Sequence, residues 1–183
     1  LHLSLAAEDL SGVLPVMGVT RALSEFAEEC LEAALRASLA KRELGDAGIF
    51  AVALGKMGAY ELNYSSDIDI CVFYEPGVFM EGDFSAGEDL VRMMQEATGD
   101  GYVFRTDLRL RPDPSSTPLA VSTKMADLYY ESVGQNWERM VWIKARPTAG
   151  DHASADRFLK ILQPFVWRRN LDYWAIGDIQ AIK

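Results

Sequence analysis

The chain has 183 residues, 49% of them hydrophobic and 25% charged, which is the usage of an ordinary folded domain and excludes disordered and fibrous classes. Its formal net charge of −9 argues against bulk attraction to nucleic-acid backbones, although bound metal ions can invert the sign of a local site. No apolar run approaches the roughly 20 residues a bilayer span needs, and no basic segment precedes an apolar one near the start, so a cytoplasmic protein with neither membrane nor nucleic-acid partners is expected.

A chain opening on Leu1 rather than Met reads as a piece of something longer. From Arg21 to about Arg42, apolar residues from Leu23 through Leu39 recur at helical spacing, and the acidic members Glu25, Glu28, Glu29 and Glu32 read as a solvated face. Ile49–Leu54 is a short apolar run, expected as a buried strand. Gly55-Lys56-Met57-Gly58 then predicts a tight turn. Ser66–Tyr74 reads as a second strand, closed by Pro76 and Gly77, and Ser85–Thr98 as a polar helix. Tyr102–Leu110 alternates with period two and predicts a third strand, with Arg105, Asp107 and Arg109 on its polar face. After a proline-marked loop come a short edge strand at Leu119–Ser122 and helices at Lys124–Val133, at Asn136–Ala145 and from Asp151 onward. This order predicts an α/β fold: a helical flank over 1–45, a catalytic core over 46–150 and a helical segment over 151–183. Cys30 and Cys71 are expected as free thiols, and His2 and His152 are too few for a histidine-rich zinc site.

The chemistry concentrates at two places. On a strand, Asp67 and Asp69 present carboxylates about 7 Å apart on one face, while Ile68, Ile70 and Val72 face the apolar layer. Like charges this close favour a cation between them, and all-oxygen ligands suit Mg²⁺. An Asp-x-Asp pair alone equally fits a solvated turn. Asp107, flanked by Arg105 and Arg109 with Arg111 just beyond, strengthens the metal reading. Three carboxylates from two strands, with arginines beside them, make a two-metal clamp with phosphate contacts, although an ion-pair ladder holding Asp107 is the plainer alternative. Glycine at the preceding turn lets backbone approach a phosphate. Trp137, Val141 and Lys144 are placed on one helical face; Arg139, Trp142, Ile143 and Arg146 on the adjoining one. Lys144 and Arg146 are candidate phosphate contacts. The catalytic and metal set is thus Asp67, Asp69 and Asp107; the nucleotide or phosphate set is Gly55, Lys56, Ser66, Arg105, Arg109, Arg111 and Lys144.

Three stretches in order, LGKMGAYELNYSSDIDICVFY, YVFRTDLRLRP and YYESVGQNWERMVWIKARPTAGD, resemble the glutamine synthetase adenylyltransferase/adenylyl-removing family. The resemblance runs from about Phe50 to Asp151 and departs at Ala59, where a second glycine is common. It implies a nucleotidyltransferase fold, a small mixed sheet flanked by helices, within a protein several times longer that carries two such domains. One domain attaches AMP to a tyrosine of glutamine synthetase; the other removes it by phosphorolysis. By the resemblance, Asp67, Asp69 and Asp107 match the metal-binding carboxylates and Gly55 the start of the nucleotide-binding turn. Asn63 and Ile68 match the wording of the removing domain. The resemblance therefore implies adenylylated glutamine synthetase, orthophosphate and ADP or ATP as partners, with the PII signal protein acting through the full-length enzyme. Attachment of AMP and a non-catalytic nucleotide-sensing role are the alternatives.

Overall fold

The computed structural model describes residues 2–78, 85–99 and 101–167. The part of the C-terminal helical segment beyond residue 167 lies outside them. A short helix, α1 (His2–Leu10), leads into the 25-residue α2 (Val16–Ala40), about 37 Å long at 1.5 Å per residue. Its buried positions Leu23, Ala27, Leu31, Ala34, Leu35 and Ser38 fall three or four apart, the spacing that lays one stripe against a core. The helix therefore begins earlier than the periodicity from Arg21 indicates, and α1, which lacks a long apolar stripe, escapes pattern reading.

Strand β1 (Ile49–Ala53) is buried along its whole length. It pairs antiparallel with β2 (Ile68–Tyr74), from Ile49 opposite Tyr74 to Ala53 opposite Ile70. Between them lies a single helical turn, α3 (Gly55–Gly58), where a tight turn is expected. Helix α4 (Ser85–Gln95) follows, then two short strands parallel to β2: β3 (Thr106–Asp107) beside its start and β4 (Ala120–Ser122) beside its end. Helices α5 (Thr123–Ser132) and α6 (Asn136–Trp142) lead to β5 (Arg146–Gly150), antiparallel to β1 with an irregularity at Ala51/Val52, and α7 (His152–Val166) closes the described chain. The sheet is mixed, in the order β3-β2-β1-β5 with β4 also on β2.

Alternation along the strands fills two cores. Ile49, Ala51, Ile68, Ile70 and Val72 pack with Leu23, Leu31, Leu90 and Met94 of α2 and α4. Phe50, Val52, Cys71 and Phe73 pack with Tyr130, Trp142, Phe158 and Phe165 from α5, α6 and α7. The Phe73 and Phe158 ring centroids lie 4.7 Å apart, within the range of favourable aromatic pairing. Each fully buried large side chain contributes roughly 1.5–3 kcal/mol of transfer free energy. The fold is the mixed α/β, nucleotidyltransferase-type arrangement the resemblance implies. Both cysteines are free thiols, and among the described residues no helix is long and apolar enough to cross a membrane.

Three expectations are corrected here. The third strand shrinks from Tyr102–Leu110 to two residues: the Val103 and Phe104 N–H groups donate to Met94 O at the end of α4, and the Arg109 N–H turns back to Asp107 Oδ1. The second helix of the late pair stops at Trp142, so Arg146 lies on a strand and shares no helical face with Arg139 or Trp142. Finally, Glu28 and Glu32 are not a solvated face. Glu28 pairs with Arg146 and accepts from Thr148 Oγ1, while Glu32 accepts from the Gly150 N–H at 2.8 Å.

Candidate active site

The site is assembled where β1 ends and β2 begins. Leu54 N–H donates to Asp69 O at 2.9 Å, and at Gly55 the chain turns with φ of +53° into α3. A β-carbon at Gly55 would lie 2.4 Å from Asp69 Oδ2. Glycine is required here twice over, by the left-handed backbone and by the carboxylate pressed against it. Gly58, at the other end of the turn, faces the Lys144 carbonyl, which a β-carbon would meet at 2.2 Å.

Parallel pairing sets Asp69 directly beside Asp107, on strands about 4.8 Å apart. Asp67 sits one residue before β2, two positions from Asp69, and its neighbour Ile68 is tied down by N–H donation to Arg105 O at 2.9 Å. The connection leading to it is a side-chain-built turn: Asn63 Oδ1 accepts from Ser65 N and Oγ, and Ser66 Oγ accepts from the Asn63 N–H. Leu62 N–H donates to Ser24 Oγ, fixing this connection to α2.

The three carboxylates have different electrostatic settings. Burial, then Asp107 and Asp67, push the Asp69 carboxyl above the ordinary range, against the opposing pull of Arg109 and Lys56. Asp107 moves the other way, because the Arg109 guanidinium donates to both of its oxygens and outweighs its burial. Asp67 accepts from Arg105 Nε at 2.5 Å. Among the described residues no three His, Cys, Asp or Glu side chains close into a ready ligand cluster, since Asp67 and Asp107 are each turned onto an arginine. The donor set nonetheless suits a hard divalent cation: oxygen ligands only, converging from adjacent strands, with mutual repulsion already registered at Asp69.

Of the residues singled out from sequence, the structure brings together Asp67, Asp69, Asp107, Gly55, Lys56, Ser66, Arg105 and Arg109. Two others are engaged elsewhere. Arg111 donates to the carbonyls of Leu108, Pro114 and Thr117 and holds the loop after β3 in shape. Lys144 donates to Glu61 at 2.8 Å. Arg146 supports the site from below: it donates to the carbonyls of Met57 and Gly58 at the end of α3, lies 3.7 Å above the Tyr60 ring and pairs with Glu28. Burial lowers its pKa to about 10. Neither Tyr60 nor Glu28 is identifiable from sequence, because both act through a residue about 90 to 120 positions away.

Comparison with known proteins identifies the family of the chain. The family model for glutamate-ammonia ligase adenylyltransferase matches residues 1–161. The chain is 52% identical to a bifunctional glutamine synthetase adenylyltransferase/adenylyl-removing enzyme of Caulobacter vibrioides, the match covering all of the chain and 21% of that protein. Proteins of the same description from Rhizobium meliloti and Agrobacterium fabrum are 50% and 48% identical, over 98% and 97% of the chain and 20% of each relative. The chain thus spans about a fifth of the length of these relatives. It belongs to the glutamate-ammonia ligase adenylyltransferase family.

Proposed function

We propose that this chain is a metal-dependent adenylyl-transfer centre that removes AMP from the modified tyrosine of glutamine synthetase by phosphorolysis. The observation that carries the reading is the register placing Asp69 beside Asp107, with Asp67 two residues away and Gly55 closed against Asp69. Asp67, Asp69 and Asp107 would hold Mg²⁺ or Mn²⁺, which when bound supplies Lewis-acid stabilisation of charge on the entering and leaving oxygens. The chain's own residues do the rest. Arg105, Arg109 and Lys56 surround the carboxylates with positive charge suited to phosphoryl oxygens. The wide backbone angle at Gly55 lets the α3 turn approach a phosphate without a side chain between.

The reaction balances as an in-line displacement. An orthophosphate oxygen forms a bond to the adenylyl phosphorus, the bond from phosphorus to the tyrosyl oxygen breaks, and the proton carried by orthophosphate passes to the tyrosyl oxygen. The products are ADP and free tyrosine. The removing direction rests on Asn63 and Ile68, whose wording is that of removing domains; attachment of AMP from ATP uses the same carboxylates. Incubation of the chain with adenylylated glutamine synthetase and Mg²⁺ should release ADP only when orthophosphate is present. Transfer of labelled AMP from ATP onto the unmodified synthetase, with no ADP release, would assign the opposite direction.

A further inference from the structure

Among the described residues, every hydrogen bond from the Arg109 side chain ends on Asp107. Nε donates to Oδ1 at 3.0 Å and Oδ2 at 2.9 Å, and Nη2 to Oδ2 at 2.5 Å, so both carboxylate oxygens are taken. The two partners are unequally held. The arginine side chain is 85% exposed and the aspartate 15%, so the guanidinium lies over the carboxylate from the solvent side. Arg105 is instead tied to two partners, with Nε on Asp67 and Nη2 on the Ser65 carbonyl at 2.7 Å.

We propose that Arg109 is a latch on Asp107, occupying the oxygens a divalent cation would use until a phosphoryl group draws the guanidinium away. The inference rests on the metal-centre reading given above. With the guanidinium donating to both Asp107 oxygens, a divalent cation meets occupied lone pairs and a like charge at contact distance, so the two compete for the carboxylate. The guanidinium itself is largely solvated, so on leaving Asp107 it passes to water and not to an apolar setting. A phosphate offers the same planar fork more acceptor oxygens and more negative charge than a single carboxylate. Cation and phosphate then enter together, and by linkage each tightens the binding of the other. The adenylyl bond is thereby spared hydrolysis while orthophosphate is absent, which favours ADP over AMP as product.

The test is Mn²⁺ binding by the whole 183-residue chain, followed by electron paramagnetic resonance at buffered free Mn²⁺, with and without orthophosphate and with no adenylylated substrate. Without phosphate, R109Q should bind Mn²⁺ about three- to tenfold more tightly than the parent, the range set by loss of one charge-assisted pair. Orthophosphate should tighten Mn²⁺ binding in the parent and leave R109Q unchanged. R109K keeps the charge but loses the fork, and should fall between the two. Equal affinity in parent and R109Q, phosphate coupling that survives in R109Q, or parent-like affinity in R109K each overturns the latch. Parent binding no tighter than that of D69N overturns the metal centre itself, and the latch with it.

Discussion

Replacing Gly55 by alanine adds one methyl group at the most constrained point of the site. Two costs follow, and they fall on different properties. At φ of +53° an L-residue pays about 1–2 kcal/mol relative to a right-handed conformation. The added carbon would also lie 2.4 Å from Asp69 Oδ2 and 3.2 Å from its Cγ, against an ordinary contact of about 3.5 Å. The clash is with the end of a side chain, so it is relieved by rotating the Asp69 carboxylate about 1 Å rather than by moving backbone. Stability should therefore fall by only about 1–2 kcal/mol, a drop in Tm of roughly 2–8 °C for a chain of this size. Turnover should suffer far more, since Asp69 would leave its alignment with Asp107, and displacements near 1 Å cost on the order of 100-fold. Calorimetry and phosphate-dependent ADP release on the same preparation separate the two effects. A folded G55A protein with near-parent turnover would refute the assignment of Asp69 to the reaction centre.

Asp69→Asn should reduce turnover by orders of magnitude yet leave Tm unchanged or raised, because it removes a carboxylate that burial and Asp107 already disfavour; a large loss of Tm would instead mark Asp69 as structural. Gly58→Ala should behave oppositely to Gly55→Ala: its β-carbon meets the Lys144 carbonyl, which is backbone and cannot rotate aside, so circular dichroism melts should show a loss of about 3 kcal/mol. Asp89, held at about 2 by Arg92 and Arg42, and Asp151, held at about 2 by Ser154 and the Gly48 N–H, both lie below the ordinary 3.8. Their depressed folded-state pKa values stabilise the protein fully above about pH 4, and that contribution is lost as pH falls toward 2. A double D89N/D151N variant should therefore be less stable than the parent at neutral pH and show a flatter loss of urea resistance between pH 4 and 2, and parallel profiles would exclude the assignment.

The carboxylate pair was legible because strand periodicity alone puts Asp67 and Asp69 on the face opposite Ile68, Ile70 and Val72, and those three do pack into one core. Asp107 could be recognised by its arginine neighbours, but not its register against Asp69, since parallel pairing across nearly 40 residues has no local signature. Alternation from Tyr102 to Leu110 overstated the strand because side-chain pattern records burial, whereas strand length depends on where backbone donors go; here they go to Met94 O and Asp107 Oδ1. The strand at Arg146–Gly150 was hidden by Pro147, which lacks a donor, and by Gly150, both of which punctuate a pattern. Arg111 shows the limit of reading charge as ligand contact: near three prolines, loop carbonyls claimed its donors first.

The carboxylates that α2 extends to β5 bear on how the molecule behaves beside copies of itself. A terminal strand normally leaves outward N–H groups able to recruit a strand from another chain, the first step of aggregation. At Gly150 that donor is already satisfied by Glu32, and Glu28 covers the same border by pairing with Arg146. An approaching strand would meet an occupied hydrogen-bond site and the side chains of α2 instead of a template. The helix thus acts as the strand's missing neighbour while being unable to extend the sheet, and replacing Glu32 with alanine should raise the tendency to form β-rich aggregates without touching the chemistry at Asp69.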